Sequence, residues 1–409
     1  MQVVNERCAG LDVHKRQVVA CIRMPGEHGK SSGVVKTFGT TTPQLLELLS
    51  WLTDHRIGKV AMESTGVYWR PVYHVLEGSV DEILLVNAQH VKAVPGRKTD
   101  VKDCEWLAQL LEHGLLRGSF VPPEPIRDLR DLTRFRKTLI QERSSHVNRI
   151  AKTLELANIK LGSVATDIMG KSGRAMMQAL IDGKRDPQQL ADLSLGVLRK
   201  KRDALEPALT GRVRDHHAFL LRQQLKVVDD LEQRIQELDV RIDECIRPFA
   251  DEVAHLCTIP GVRHRTAEAL IAEIGVDMTR FPTAAHLASW AKLCPGNNQS
   301  GDKRRSASIG KGNNWVKATL VEAAWAASRT KRSYYHAQFN RLRARRGPKK
   351  AVTAVAHSIL QACWHILQAN TEHRDLGRTY FESLDRNRLR RHHIKRLKDL
   401  GFTVTVEAA

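Results

Sequence analysis

Four carboxylates in the first part of the chain have the residue types and spacing of a divalent-metal site: Asp12, Glu63, Asp100 and Asp103. Carboxylate oxygens are the ligands that Mg²⁺ and Mn²⁺ prefer. The chain around them is strongly basic, with 65 Lys and Arg against 45 Asp and Glu, a net charge of +20 and a pI near 9.9. Because cations bind phosphates while carboxylates bind the metal, the pattern predicts phosphoryl transfer on a polyanion, with DNA as the leading substrate.

Each of these carboxylates also has a structural explanation when it is taken alone. Asp12 would end a strand, Glu63 would place a negative charge at a helix N-terminus, and Asp100 would cap its helix. The combination is more specific, because two divalent ions about 4 Å apart need several shared carboxylates. The spacing of three also puts Asp100 and Asp103 on one face of a helix, about one turn apart.

The elements that must position these residues are predicted to form an α/β domain. Short apolar runs predict strands over residues 8–12, 18–22, 34–38, 60–62 and 83–86, and helices over 43–54, 67–76 and 101–112. Three strands in a row, followed by alternating helices and strands, is the order of the ribonuclease H-like sheet. In that sheet Asp12 lies in the first strand, Glu63 ends the fourth, and the last helix begins at the other two acids. All four carboxylates can therefore converge.

Three prolines within residues 121–125 predict the end of this domain, because proline cannot continue a helix or a central strand. A long helix is predicted over 126–161, and its many Arg and Lys residues either follow a phosphate backbone or form a solvated face. Residues 221–245 carry an apolar heptad repeat, which predicts a coiled coil with a helix of the same chain or of a second subunit. The predicted domains are residues 1–120, a helical coiled-coil region 121–250, a mainly α domain 251–370 and a basic tail 371–409.

The mainly α domain begins with a sequence that resembles a helix-hairpin-helix motif. Pro260-Gly261 separates two apolar helical stretches. Such a turn leaves backbone N–H groups free at a helix N-terminus, where they can bind phosphate. The alternative is a helical hairpin that only packs against its neighbours.

A loop further along this domain holds a candidate nucleophile. Ser300 lies between Gln and Gly, with three cations downstream: Lys303, Arg304 and Arg305. Taken alone, a Ser-Gly pair is also ordinary turn chemistry, and Ser306 and Ser308 are competing serines. A serine here would need activation by a metal or by cations bound to phosphate.

The last third of the chain is predicted to be helical and basic. Residues 341–400 hold fifteen Lys or Arg against five Asp or Glu. One dense cluster comprises Arg341, Arg343, Arg345, Arg346, Lys349 and Lys350, and its last four members are the candidates for binding. Together with the three cations after Ser300, these side chains are predicted to bind nucleic acid.

Composition and spacing argue against several other classes of protein. The seven cysteines are scattered without a Cys-x-x-Cys pair, which disfavours a disulfide framework or a structural zinc site and fits a reducing cytoplasm. No apolar run approaches the roughly 20 residues of a membrane-spanning helix, and the start does not read as a secretory signal. We expect a cytoplasmic protein with no membrane partner.

The motifs taken together resemble a known family. Gly-Leu-Asp-Val-His-Lys, Glu-Ser-Thr-Gly-Val-Tyr, Lys-Thr-Asp-x-x-Asp, Ile-Pro-Gly-Val and Pro-Gly-x-x-x-Ser-Gly follow one another in the order and approximate spacing of the IS110 family of insertion-sequence transposases. That family joins a RuvC-like DEDD domain to a C-terminal serine domain. The resemblance implies that Asp12, Glu63, Asp100 and Asp103 are the Mg²⁺-binding acidic quartet and that Ser300 is the nucleophile, which forms a covalent phosphoserine link to DNA.

The resemblance also implies a bacterial, nucleoid-associated location and several partners. Similar proteins act as homo-oligomers, dimers or tetramers, in which the RuvC-like domain of one subunit meets the serine domain of another. They use a noncoding bridge RNA to select donor and target DNA. Base pairing by RNA would account for a basic, backbone-directed protein without an obvious base-reading motif.

Three alternatives remain open at the level of the sequence. A metal-dependent, structure-specific nuclease of the Holliday-junction type would use the quartet and not Ser300. A nucleic-acid-binding scaffold would need no quartet at all. An actin-like sugar kinase or ATPase shares the sheet order but needs glycine-rich phosphate loops, which we do not find in this sequence.

Overall fold

The computed structural model describes residues 2–26, 31–64, 66–87, 103–295, 299–300, 303–304, 309–310 and 312–405. The chain divides into two units, Met1–Val121 and Pro122–Ala409. The finer division into domains predicted from the sequence stays a prediction.

Unit 1 is built on a five-stranded mixed sheet. Its strands are β1 (Cys8–Val13), β2 (Gln17–Pro25), β3 (Ser31–Gly39), β4 (Lys59–Glu63) and β5 (Glu82–Val86), in the order β3-β2-β1-β4-β5. The first three strands are antiparallel, while β4 runs parallel to both β1 and β5. This α/β arrangement is consistent with the predicted ribonuclease H-like fold.

Helices cover both faces of this sheet, and the alternation of side chains along β1 decides what each face holds. Leu11 and Val13 pack with α1 (Thr42–Asp54) and α2 (Trp69–Leu76) in one apolar core. On the opposite face, Cys8 packs with α3 (Asp103–Glu112). Gly10 is required there, because a Cβ on it would lie 2.3 Å from the Cys104 carbonyl oxygen and 2.4 Å from the Ala108 nitrogen. Helix α3 therefore rests directly on the backbone of β1.

Unit 2 is helical in most of its described residues. It begins with the long helix α4 (Glu124–Leu156), and α5 (Leu161–Val164), α6 (Lys171–Ile181), α7 (Pro187–Asp192) and α8 (Arg202–Leu209) follow. The later helices are α9 (Asp215–Ile246), α10 (Ala250–Cys257), α11 (His264–Ile274), α12 (Ala284–Trp290), α13 (Asn314–Ala327), α14 (Tyr334–Arg346), α15 (Pro348–Ala369) and α16 (Tyr380–Asp399). A two-stranded hairpin, β6 (Gln299–Ser300) and β7 (Lys303–Arg304), precedes α13.

The two longest helices, α4 and α9, pack side by side in antiparallel directions. Contacts pair residues late in one helix with residues early in the other: Arg136 with Asp239, Arg143 with Glu232 and Thr153 with Gln224. Several basic residues of α4 therefore neutralise carboxylates of the same chain, a role that the sequence pattern does not predict.

The predicted heptad seam of α9 is largely buried against α4 and the helices between them. Leu221, Val228, Leu231 and Ile242 are buried, and the first two share an apolar core with Ile150 of α4. The packing partner of the seam is thus a helix of the same chain. The sequence left that point open, and knobs-into-holes packing of a coiled coil stays a prediction.

Helices α10 and α11 form a hairpin at the predicted helix-hairpin-helix sequence. Gly261 in the turn has φ +89°, and a Cβ there would lie 2.4 Å from the Ala323 carbonyl oxygen of α13. The turn therefore packs tightly on α13. Phosphate binding by its N–H groups remains a prediction. Within the part of the chain that the structure describes, no helix is long and apolar enough to span a bilayer.

Candidate active site

Asp12 and Glu63 occupy neighbouring positions on adjacent strands. The parallel ladder pairs Leu11 of β1 with Met62 of β4, so the next residue of each strand continues the same row. Leu11 and Met62 are fully buried toward α1 and α2, whereas Asp12 and Glu63 are partly exposed. Because side chains alternate along a strand, both acids lie on the α3 face, on strands about 4.8 Å apart. The fold therefore brings these two predicted ligands together.

The third described acid, Asp103, is the first residue of α3 and is exposed. Helix α3 starts on the same face of the sheet, above the end of β1. Burial, then Glu105, then the nearby carboxylate of Asp12 raise the pKa of the Cys104 thiol to about 11, which places Asp12 close to the start of this helix. Asp100, the fourth predicted acid, lies outside the described residues.

His14 contacts the first of these acids, which the sequence analysis did not anticipate. Its Nε2 lies 3.0 Å from Asp12 Oδ2, and the two side chains are 54% and 25% exposed. A hydrogen bond from the imidazole would fix the orientation of that carboxylate. The one sequence feature that indicates this contact is that His14 follows Asp12 by two residues at the end of a predicted strand.

The donor set of this cluster fits a hard divalent cation. Asp12, Glu63 and Asp103 offer carboxylate oxygens from three elements near one end of the sheet, and oxygen ligands suit Mg²⁺ and Mn²⁺. In this structure the ligand atoms of these three residues do not all lie within 4.8 Å of one another. Neither a thiol nor a ring of histidines is needed to complete such a site. The assignment of these residues as ligands is a proposal taken up below.

The far end of α3 is fixed by a buried ion pair. Arg23 Nε of β2 donates to Glu112 Oε2 at 2.8 Å, and the Glu112 side chain is only 2% exposed. The carbonyl oxygen of Glu112 also accepts hydrogen bonds from the backbone N–H groups of Val4 and Asn5. With Gly10 under its first half and Arg23 at its last turn, α3 has little freedom to slide along the sheet.

In unit 2, the backbone of Ser300 lies in the β6–β7 hairpin, where it pairs with Lys303. An isolated bridge between Pro295 and Ile309 closes the base of the same segment. The predicted nucleic-acid-binding residues Lys303 and Arg304 are in β7, and Arg305 lies outside the described residues, as do Ser306 and Ser308. Ser300 and two of its basic neighbours are thus placed on one small hairpin.

The second predicted basic cluster surrounds the junction of α14 and α15. Arg345 and Arg346 end α14, Lys349 and Lys350 begin α15, and all four side chains are exposed. Gly347 between the helices has φ +79°, so the chain turns sharply there. The turn places four cations close together along the chain on the surface of unit 2.

A group of possible metal ligands with closely spaced ligand atoms does occur among the described residues, but it lies in unit 2 and includes none of the predicted acids. Asp243, His264 and Glu268 have ligand atoms within 4.8 Å of one another. Arg265 already bonds both carboxylates, at 2.8 Å to Asp243 and 3.0 Å to Glu268. Because the guanidinium supplies the compensating charge, this group is explained as an ion-pair cluster joining α9 to α11.

Comparisons with known proteins cover both units. Residues 9–159 match the IS110-type DEDD family described as "Transposase", and residues 253–340 match a family described as "Transposase IS116/IS110/IS902 family". The chain is also similar to the "Insertion element IS110 uncharacterized 43.6 kDa protein" of Streptomyces coelicolor, with 40% identity over 87 residues. That similarity spans 20% of this chain and 21% of the relative. Residues 9–159 and 253–340 are therefore similar to transposase domains of the IS110 family.

Proposed function

We propose that this protein is the DNA transposase of an insertion sequence, which cuts and rejoins DNA through a covalent serine-phosphate intermediate. The observation that carries the proposal is the placement of Asp12 and Glu63 in one row of adjacent strands, at the end of the sheet where α3 begins with Asp103. The two family matches support it, because they cover this acidic cluster and the Ser300 hairpin.

In this proposal the acids hold Mg²⁺ or Mn²⁺, and the metal, when bound, supplies Lewis-acid stabilisation of charge on the scissile phosphate. Asp12, Glu63, Asp103 and the predicted fourth ligand Asp100 fix the cation near that phosphate. The hydrogen bond from His14 orients Asp12. Carboxylates on rigid strands and on a packed helix keep this geometry without rearrangement during the reaction.

Ser300 is the nucleophile of the proposed reaction. Its hydroxyl loses a proton as Oγ forms a bond to phosphorus, while the bond from phosphorus to one deoxyribose oxygen breaks and that oxygen takes up a proton. The number of phosphoester bonds is unchanged, so no external energy source is required. A deoxyribose hydroxyl of a second DNA end then attacks the phosphoserine and releases Ser300, which joins the two DNA segments.

The basic residues act on the DNA backbone in this scheme. Lys303, Arg304 and Arg305 follow Ser300 closely and would hold the attacked strand, while Arg345, Arg346, Lys349 and Lys350 would bind flanking duplex. Such contacts carry no sequence information. A bridge RNA that pairs with donor and target DNA would supply the sequence information. A homo-oligomer would bring the acidic residues of one subunit and the serine hairpin of another to the same phosphate.

A test for the serine intermediate uses purified protein, Mg²⁺, the transcript flanking the element and end-labelled junction DNA. Denaturing electrophoresis should reveal a protein–DNA adduct that a protease removes. Ser300→Ala should abolish the adduct, whereas the matched change Ser308→Ala in the same segment should preserve it. Omission of the transcript should abolish the adduct if RNA selects the DNA.

A metal-dependent junction nuclease is the second candidate, and it is favoured by one observation. The three described acids of the proposed metal site all belong to unit 1, so hydrolysis by them would need no residue of the serine hairpin. Free cleaved ends without adduct, equally abundant with Ser300→Ala, would establish that alternative and remove Ser300 from the mechanism.

A further inference from the structure

A buried carboxylate at the end of α11 organises the region around the serine hairpin. Glu273 is 3% exposed and lies in the last turn of its helix, one residue before Ile274. Helix C-termini carry partial negative charge, so a carboxylate is electrostatically unfavourable there. A buried charge in such a position persists only when strong partners surround it.

Helix α4 supplies the first set of partners. Arg134 forms a two-pronged ion pair, with Nε 2.6 Å from Glu273 Oε1 and Nη2 2.8 Å from Oε2. One turn earlier, Arg130 donates to the carbonyl oxygens of Ala272 at 3.0 Å and of Glu273 at 2.7 Å. The two guanidinium groups neutralise the carboxylate and satisfy the carbonyl oxygens at the end of α11.

The third partner comes from the segment that follows the hairpin. Asn313 Nδ2 donates to Glu273 Oε2 at 2.6 Å. The other end of the same amide caps α13, because Asn313 Oδ1 accepts from the backbone nitrogens of Trp315 at 2.9 Å and Val316 at 3.3 Å. The Arg134 guanidinium also lies 5.6 Å from the centre of the Trp315 ring, within cation–π range. One carboxylate thus ties α4, α11 and the start of α13 together.

The same junction is where the chain emerges from the serine segment. Ile309 bridges to Pro295 at the base of that segment, and Lys317 Nζ donates to the Gly310 carbonyl oxygen. Gly312 lies against the backbone after α12, since a Cβ on it would be 2.7 Å from the Ala291 carbonyl oxygen. Asn313 follows directly, so its amide fixes the downstream end of the segment that carries Ser300.

We infer that Arg134, Glu273 and Asn313 are positioning residues for the Ser300 hairpin, acting through residues 309, 310, 312 and 313. The inference rests on the proposed role of Ser300 as nucleophile. The described contacts of the three residues join them to one another and to the start of α13. They hold the outgoing end of the hairpin against α4 and α11, and a displacement of the nucleophile by about 1 Å costs about a hundredfold in rate.

The decisive variant is Asn313→Ser, because serine remains a good helix N-cap while it removes the amide donor to Glu273. We expect the rate of adduct formation at saturating DNA to fall by about tenfold or more, with little change in DNA affinity. The rate of adduct formation in Arg134→Lys, which keeps one charged donor, should lie between those of wild type and Arg134→Gln.

Arg136→Gln is the matched control. Arg136 lies on the same helix and bonds Asp239 through two nitrogens, at 2.6 and 3.4 Å, but that pair joins α4 to α9 and does not reach Asn313. Arg136→Gln should lower the melting temperature and leave the adduct rate close to that of wild type. Equal losses of rate in Arg134→Gln and Arg136→Gln would overturn the inference, since general destabilisation would then explain both. An Asn313→Ser protein with the wild-type rate would overturn it as well.

Hydrogen exchange separates this inference from the proposed function, because it needs no chemistry. In Asn313→Ser, amides of residues 309, 310 and 312 should exchange faster, while the first turn of α13 stays protected by its new cap. Arg136→Gln should show neither change. If the wild-type protein forms no adduct, the proposed function fails. The exchange rates then decide by themselves whether the Glu273 junction anchors the hairpin. Exchange rates that are the same in wild type and in Asn313→Ser would overturn the inference.

Discussion

Asp12 is constrained from two directions, by its row beside Glu63 in the sheet and by the imidazole of His14. Its backbone is fixed by ladders on both sides of β1, so a substitution changes the chemistry at the site more than the fold. A neutral amide of the same shape keeps the packing and removes one charged oxygen donor.

We therefore expect Asp12→Asn to lower divalent-metal affinity and to reduce adduct formation by at least about a hundredfold, with a nearly unchanged melting temperature. Calorimetric titration with Mn²⁺ and the adduct assay measure the two effects. Asp54→Asn, at the exposed end of α1, is the control and should change neither. Retained activity in Asp12→Asn would instead favour a nucleic-acid-binding scaffold.

The cysteine thiols give a second prediction at the scale of single residues. Burial is the main cause that raises the pKa of Cys8, Cys21 and Cys363 to about 12 and that of Cys104 to about 11. Because the thiolate is the reactive form, native protein at pH 8 should leave these four cysteines unmodified by iodoacetamide. Mass spectrometry of the alkylated protein checks this. Rapid labelling of Cys104 in folded protein would show that α3 opens away from β1.

Helix α3 is the element on which the acidic site depends, because it carries Asp103 at one end and Glu112 at the other. Gly10 sets its distance from β1, and Arg23 sets its position along the strand. The Arg23 side chain is 21% exposed and that of Glu112 is 2% exposed, so removal of the cation would leave a buried charge without its nearest partner.

Arg23→Ala should therefore destabilise the protein by about 3 kcal/mol, the range observed when one half of a buried ion pair is removed. The second change Glu112→Gln, which also removes the charge, should recover part of that loss. Lys59→Ala is the control, since the Lys59–Glu82 pair at 2.9 Å is exposed and should contribute at most about 1 kcal/mol. Chemical denaturation measures all three, and equal losses in the two single variants would contradict this account.

At the scale of the whole molecule, the net charge is +20, but the cations differ in how far they are available to bind nucleic acid. Arg134, Arg136 and Arg143 of α4 are engaged with carboxylates of the same chain. Arg345 and Lys349 are among the exposed cations at the α14–α15 junction. The distribution favours this junction over the α4 helix as a surface for nucleic acid.

Replacement of Arg345, Arg346, Lys349 and Lys350 by Gln should weaken DNA binding and flatten its dependence on salt. The slope of log K against log salt concentration is negative, and each lost phosphate contact reduces its magnitude by about 0.9. The loss of four contacts should therefore reduce the magnitude of the slope by up to about 3.6. Fluorescence anisotropy over a salt series measures it. The decrease should be the same for cognate and scrambled duplexes, because backbone contacts carry no sequence information. An unchanged slope would exclude this junction from the interface.

Much of unit 1 could be predicted from local patterns. Short apolar runs predict the strands that contain Leu11 and Met62, and the order of elements allows Asp12 and Glu63 to converge. Contacts between residues far apart in sequence are beyond such patterns. Nothing near Arg134 indicates that its partner is Glu273, 139 residues later, because that pairing depends on how α4 packs against α11. From the sequence alone, the basic residues of α4 therefore predict only a phosphate-binding or a solvated face.

The antiparallel pair of α4 and α9 also sets a length scale. At 1.5 Å per residue, the 33 residues of α4 extend over about 50 Å. Arg134 lies about 15 Å from the N-terminal end of this helix, and Ile150, in the apolar core with α9, lies about 24 Å further on. The helix pair therefore sets the distance between the Glu273 junction and that apolar core. One heptad inserted into each helix between these two points would increase the distance by about 10 Å.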